Sequence, residues 1–377
     1  MKYLAVLGRQ PKISLAELES LFENVQPAGE TLAEFSLTND SSGFPDIQRL
    51  GGTLKLAYRI ELPIVQFLKT LPPEGKITLG LSDYSVGASA FKAQGEALKL
   101  KRILTKLKHS VRVVPNKAPI LSTATSFHNH LWTDNKLELI KYGKTFYRVI
   151  GVQNIDAYTK RDQVRPARDA KVGMLPPKLA QILINLCGEL PSGSVLLDPF
   201  CGTGVVLQEG MLMGYKVKGS DLSERMVEYS ERNLQWLTKM EGLVPKSAGV
   251  VTVEQGDAAS LEWQSPIDLV ACETYLGQPM SSAPAEIKLK QEKQECRSIV
   301  LGFLKNLASQ ITSDTPVTIA VPAWLRNNGE YERLNLLDEI QNLGYNVKRF
   351  RNLGQKDLLY HRDGQVVARE IIVLRKK

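Results

Sequence analysis

Four short apolar runs in the C-terminal half of the chain each stop on an acid. Val195-Leu196-Leu197 leads into Asp198 and Lys216-Val217-Lys218-Gly219-Ser220 into Asp221. Val250-Val251-Thr252-Val253-Glu254 passes through Gln255-Gly256 into Asp257, and Leu269-Val270-Ala271-Cys272 reaches Glu273. Runs of this length, bounded by glycine and polar residues, predict buried strands. Behind the first, Val205 to Met213 carries apolar residues at helical spacing, so strand, glycine turn and helix follow one another as in the first crossover of a doubly wound α/β sheet. Ligands of such sheets sit outside the carboxyl ends of the strands, which predicts that Asp198, Asp221, Asp257 and Glu273 converge on one crevice.

The rest of the pattern predicts further α/β units. Residues 3–8 read as a strand, and Ser14-Leu15-Ala16-Glu17 as a capping box opening a helix with Leu15, Leu18 and Phe22 on one face. The polar stretch 36–46 predicts a loop, and Gly51 to Ile60 a turn and strand, with a domain boundary near residue 65. Lys76 to Leu81 predicts a strand and Phe91 to Leu107 a helix, whose Leu100, Ile103, Leu104 and Leu107 point inward. Another face of that helix carries Lys99, Arg102 and Lys106, with Arg112 and Lys117 following; spacing alone reads it as a solvated face. Residues 151–172, holding Lys160, Arg161, Arg165, Arg168 and Lys171 with little apolar periodicity, predict a linker. Beyond it come helices over 175–190, 286–310 and 330–343, a strand over 316–321, and a closing hairpin around Asp363-Gly364.

The length of 377 residues exceeds what one core usually serves, and no apolar run is long enough to span a membrane. Cys187, Cys201, Cys272 and Cys296 are scattered, which excludes a zinc ribbon or disulfide framework and points to a reducing cytoplasm. His128-Asn129-His130 lacks a neighbouring acid cluster and reads as a polar loop or strand, so no metal is expected. A net charge of +8 favours an anionic partner without naming one. The acids narrow the ligand: they would repel the phosphates of a dinucleotide but suit a cationic sulfonium with an amino acid head, a ribose and an adenine. That describes S-adenosylmethionine.

Three stretches carry a resemblance: Asp198-Pro199-Phe200-Cys201-Gly202-Thr203-Gly204, Gly173-Met174-Leu175-Pro176-Pro177-Lys178-Leu179-Ala180, and Tyr3-Leu4-Ala5-Val6-Leu7-Gly8. With these the chain resembles the THUMP-domain tRNA guanine-N2 methyltransferases, most closely over residues 161–221. The resemblance implies an α/β fold: a Rossmann-like class I methyltransferase domain over 173–377, preceded by a small ferredoxin-like N-terminal region over 1–65 and a THUMP-like RNA-binding domain over 66–150. It implies a tRNA partner gripped through Lys99, Arg102, Lys106 and Arg112; the basic connector with Arg161 and Arg165 reads equally as touching the RNA backbone or as solvated linker charge. It assigns the cofactor's methionine end to Asp198, the backbone pocket to Phe200, Gly202 and Gly204, the ribose to Asp221 and the adenine amine to Asp257. For Asp257 helix capping, and for the glycines plain turn geometry, stay open as alternatives.

The chain departs from the family at the catalytic loop. Where Asp-Pro-Pro-Tyr is usual, this sequence has Glu273-Thr274-Tyr275-Leu276. The resemblance makes Glu273 the acceptor of the substrate amine and Tyr275 a base-stacking ring; a strand-end acid and a packing tyrosine are the plainer readings. Losing both prolines predicts a less pre-organised loop. A DNA amino methyltransferase and a non-catalytic tRNA-binding protein that keeps the cofactor fold stay open beside the leading reading, as does an accessory subunit.

Overall fold

The computed structural model describes residues 1–37, 45–72, 75–169, 175–240, 242–264 and 266–377. The loop expected around Asn39 to Gly43, and Lys171, Gly173 and Met174 of the linker and motif, lie outside the described residues. The chain divides into two compact units, one of residues 1–11 and 22–158, the other of residues 12–21 and 159–377.

The first unit is built on one sheet. Its strands are β1 (Lys2–Leu7), β2 (Glu23–Pro27), β3 (Leu32–Ser36), β4 (Thr53–Arg59), β5 (Lys76–Asp83), β6 (Ser110–Val113), β7 (Lys136–Tyr142) and β8 (Thr145–Val152), in the order β2-β3-β1-β4-β8-β7-β5-β6. β4 pairs antiparallel with β8, so the sheet runs unbroken past residue 65, and the boundary expected there does not separate two compact units. Residues 65 and 66 lie inside a short helix, α2 (Ile64–Lys69). α3 (Ala90–Lys106), capped by the Ser89 hydroxyl accepting from the Lys92 backbone N–H, buries Ala93, Ala97, Leu100 and Leu104 as the spacing predicts. α4 (Thr123–His128) ends at the His-Asn-His stretch.

A charge sits in the middle of this unit. Lys55 on β4 is 1 % exposed and donates to Glu138 Oε1 on β7 at 2.6 Å and to the Leu121 carbonyl at 2.8 Å. Glu138, fully buried, also accepts from the hydroxyls of Ser82 (2.5 Å) and Ser126 (2.6 Å). The buried pair costs desolvation that its hydrogen bonds offset; removing one partner leaves the other charge uncompensated.

The second unit begins with a surprise of assignment. α1 (Pro11–Leu21) belongs to it, not to the N-terminal unit in which the sequence pattern put it. Ser14 and Glu17 are not a capping box. They lie within the helix and are buried, and Glu17 Oε1 accepts from Asn185 Nδ2 at 2.7 Å. Glu19 accepts from the backbone N–H groups of Arg351 and Asn352, Lys348 donates to the Ser20 hydroxyl, and Lys12 pairs with Asp357. Ile13 and Ala16 join the apolar core around α6 (Pro177–Leu186).

The expected linker is also structured: α5 (Ile155–Gln163) follows β8 directly. The second sheet then runs β9 (Val195–Asp198), β10 (Lys216–Asp221), β11 (Gly249–Gln255), β12 (Leu269–Glu273), β13 (Pro316–Leu325), β14 (Tyr331–Arg333), β15 (Tyr345–Val347), β16 (Leu359–Tyr360) and β17 (Val367–Lys376). Its order is β11-β10-β9-β12-β13-β17-β15, with β14 on β13 and β16 on β17. The first five strands of that order are parallel and β17 is antiparallel to both neighbours, the class I methyltransferase arrangement. Helices α6, α7 (Val205–Leu212), α8 (Glu224–Thr238), α9 (Glu286–Ala308) and α10 (Leu337–Asn342) complete the unit. One predicted helix fails: in place of a helix over 330–343, β14 precedes the shorter α10.

Replacing Lys55 by Met is expected to destabilise the first unit by about 3–5 kcal/mol, since Glu138 would stay buried without its cation. Urea unfolding of the full chain tests this; a midpoint equal to wild type would contradict it.

Candidate cofactor and catalytic site

The strand order places the ends of β11, β10, β9 and β12 side by side, so the four acids meet the same edge of the sheet. They do not meet it equally. Asp198 is buried, and its Oδ1 accepts from the Phe200 N–H at 3.1 Å. Burial holds its carboxyl well above the usual range; the Phe200 N–H opposes this, and the charges of Asp221 and Glu273 add to it. Asp221 receives two backbone donors, Gly202 N–H on Oδ2 and Ser223 N–H on Oδ1, both at 2.9 Å. It thereby ties the glycine turn to the end of β10. Its pKa is raised by burial, against these two hydrogen bonds. Asp257 is exposed beyond β11 and accepts from the Ala259 N–H at 2.9 Å, a local turn of the kind that the capping alternative describes.

The turn between β9 and α7 is built from both glycines, for different reasons. Gly204 has φ +78°, and a Cβ there would come within 3.2 Å of the Ser230 Cα, so packing against α8 excludes any side chain. Gly202 has φ +52°, and a Cβ there would meet nothing nearer than the Phe200 carbonyl oxygen at 4.0 Å, so its need for glycine is conformational. Ser230 Oγ donates to the Gly202 carbonyl at 2.8 Å, and Asn233 Nδ2 to the Thr203 carbonyl at 2.8 Å, so α8 holds the turn from behind. Sequence reasoning passed over both residues. The Phe200 ring packs edge-on against Phe303 of α9.

Glu273 ends β12, and its Oε1 accepts from Arg369 Nε of β17 at 2.7 Å. The loop after it is better held than the loss of prolines predicts. The Thr274 backbone N–H and hydroxyl both donate to the Ala320 carbonyl, at 3.0 and 3.2 Å. Gly277 adopts φ +83°, and the Gln278 N–H donates to Glu292 Oε2 at 3.1 Å. Tyr275 is half-buried against the core under α9, and its hydroxyl accepts from Gln278 Nε2 at 3.0 Å. The four cysteines are buried, and burial pushes the Cys201 and Cys272 thiols well up, so none is an activated nucleophile.

Of the basic residues singled out in the sequence, Lys99, Arg102, Lys106 and Arg112 are exposed on α3 and β6. Arg161 and Arg165 are not surface contacts. Arg161 forms a two-pronged pair with the buried Glu209 of α7, Nε to Oε1 at 2.6 Å and Nη2 to Oε2 at 3.2 Å. Arg165 is 2 % exposed, and burial lowers its pKa. Arg161 fastens the segment before α6 to the glycine-turn helix.

Residues 165–302 match the family described as UPF0020: RMKL-like, methyltransferase domain. This part of the chain is a methyltransferase domain. The chain is 33 % identical over 155 residues to a tRNA (guanine(10)-N2)-dimethyltransferase of Methanothermobacter thermautotrophicus, covering 41 % of this chain and 40 % of that one. It is 48 % identical over 67 residues, 18 % of this chain, to a probable enzyme of the same name from Methanothermococcus thermolithotrophicus. The matched stretches thus span about two fifths of these relatives, 40 % and 41 %. The solved structure of TrmN from Thermus thermophilus aligns along all of both chains with a TM-score of 0.49 at 16 % identity. Over these stretches the chain is similar to enzymes named tRNA (guanine(10)-N2)-dimethyltransferases. The donor set at this sheet edge would suit a cationic ligand such as S-adenosylmethionine, since the charges of Asp221 and Glu273 both act on the buried Asp198.

A cationic ligand binds the ionised form of Asp198, whose free carboxyl is held high, so binding releases a proton. S-adenosylmethionine affinity is therefore expected to fall as pH is lowered and to level off once Asp198 is ionised in the free protein. Calorimetry across pH checks this. Asp198→Asn should bind more weakly with a flatter profile, and an unchanged profile would remove Asp198 from the site.

Proposed function

We propose that this chain is an S-adenosylmethionine-dependent tRNA methyltransferase acting on the exocyclic N2 amine of a guanosine. The observation that supports the reading is Glu273, an acid at the end of β12 whose charge, like that of Asp221, acts on Asp198 at the same sheet edge, within the stretch similar to a methyltransferase domain. Position ten is the nucleotide named for the relatives, and it is the first to test here.

The sulfonium supplies an electrophilic methyl group. The residues of the chain do the rest. Asp198 and the turn at Gly202 hold the methyl donor, and Glu273 accepts a hydrogen of the substrate amine so that the nitrogen lone pair is directed at the methyl carbon. A guanosine inside a helix must leave its stack to reach such a crevice. Tyr275 is placed in the loop beside Glu273, and we assign it to the base-side wall of the pocket. The first unit is the RNA-gripping module of this reading, THUMP-like, with Lys99, Arg102, Lys106 and Arg112 on phosphates. Among the described residues no helix is long and apolar enough to cross a membrane.

Incubation of the chain with labelled S-adenosylmethionine and unmodified tRNA, followed by nucleoside mass spectrometry, is expected to yield N2-methylated guanosine. Glu273→Ala should lower the rate at least about a hundredfold. Wild-type turnover in that variant would exclude Glu273 from the reaction, and preference for DNA in a competition assay would favour the other amino methyltransferase class.

Serine at Lys99, Arg102 and Lys106 together is expected to weaken tRNA binding and flatten its salt dependence by about two to three phosphate contacts. A slope of log affinity against log salt identical to wild type would assign that face to solvent.

A further inference from the structure

β17 is an interior strand, paired along β13 on one side and at Arg369 and Glu370 with β16 on the other, and between Val367 and Leu374 its sequence is apolar except for Arg369 and Glu370. Two adjacent charges in such a strand point to opposite faces and each needs a partner. Glu370 has Arg333, whose Nη1 donates to it at 2.8 Å. Arg369 has Glu273.

The geometry follows from register. Arg369 lies opposite Pro322 of β13, and Ile371, two residues on, lies opposite Ala320. Ala320 in turn pairs with Glu273 and accepts both hydrogen bonds from Thr274. Glu273 and Arg369 therefore share one face and reach each other across β13. Their side chains are 15 % and 8 % exposed. Nη1 of Arg369 lies 3.4 Å from Gln365 Oε1. Among the described residues Glu273 Oε2 receives no hydrogen bond.

We propose that Arg369 is a positioning residue for methyl transfer. It fixes one carboxylate oxygen of Glu273 and leaves the other to accept the substrate amine, supplying the orientation that two prolines give in related loops. The proposal rests on the guanosine-N2 reading and deepens it. An isolated carboxylate beside Asp198 and Asp221 would be repelled and free to rotate. The buried guanidinium of Arg369 counters the repulsion with its charge and opposes the rotation with one directed hydrogen bond, Nε to Oε1. It also accounts for glutamate at this position: an aspartate, one methylene shorter, would not span the distance to β17.

The test measures kcat, the KM for tRNA and S-adenosylmethionine affinity for wild type, Arg369→Met, Arg369→Lys, Glu273→Asp and the Glu273→Asp/Arg369→Met double variant. Arg369→Met is expected to lower kcat about a hundredfold with KM and cofactor affinity within about twofold. Arg369→Lys should recover part of the loss. In the Glu273→Asp background, where the pair is already broken, Arg369→Met should change little. The proposal is overturned if Arg369→Met keeps wild-type kcat, or if its effect is as large in the Glu273→Asp background as alone. Loss of cofactor binding in both Arg369 variants would also overturn it, as a structural role. A wild-type chain that methylates no guanosine fails the parent reading itself, whereas an active wild type indifferent to Arg369 fails only this inference.

Discussion

Electrostatic repulsion among carboxylates at one end of a parallel sheet is the constraint that most of the second unit answers. Burial is the largest influence on the Asp198 carboxyl, and Asp221 and Glu273 lie close enough for their charges to add to it. Each acid is handled differently. Asp221 takes two backbone N–H groups, Glu273 takes an arginine, and Asp198 keeps a single backbone donor and is held toward its neutral form. In the free protein protonation of Asp198 relieves the repulsion, and a positive ligand would relieve it in the ionised form.

The same unit recruits a helix from the far end of the sequence. α1 is fixed by Glu17 to Asn185, by Glu19 to the backbone at 351–352, and by Ser20 to Lys348. It covers α6, the helix preceding the first strand of the cofactor site. The first unit lies on both sides of α1 in sequence, over residues 1–11 and 22–158, and its one sheet takes strands from both sides of residue 65, which is why a boundary drawn there from local composition found no break. That unit has its own non-local knot, the Lys55–Glu138 pair, joining β4 to β7 through the core.

In the catalytic loop, three constraints outside the loop do what its own residues do not. The Ala320 carbonyl, the Glu292 carboxylate and Arg369 come from β13, α9 and β17. A loop pinned from three elements gains order without proline, and the entropy is paid by packed secondary structure.

Strands that end in acids, the glycine turn and the closing hairpin were legible in the chain because each is written in consecutive residues: apolar runs, Gly202 and Gly204, Asp363-Gly364. Their alignment along one sheet also followed, since parallel α/β strands share a carboxyl edge. What the chain could not disclose were partners far apart in number. Arg161 and Arg165 read as connector charges until Glu209 and the fold buried them; Ser14 and Glu17 read as a cap until Asn185 claimed the glutamate inside a packed helix. Arg369 carried one legible signal, a charge inside an apolar strand, which announced that a counter-charge must exist. Only the register of β17 against β13, and of β13 against β12, decided that the counter-charge is Glu273, because the strand pairing that brings together residues 96 positions apart is a property of the folded sheet and of no local pattern.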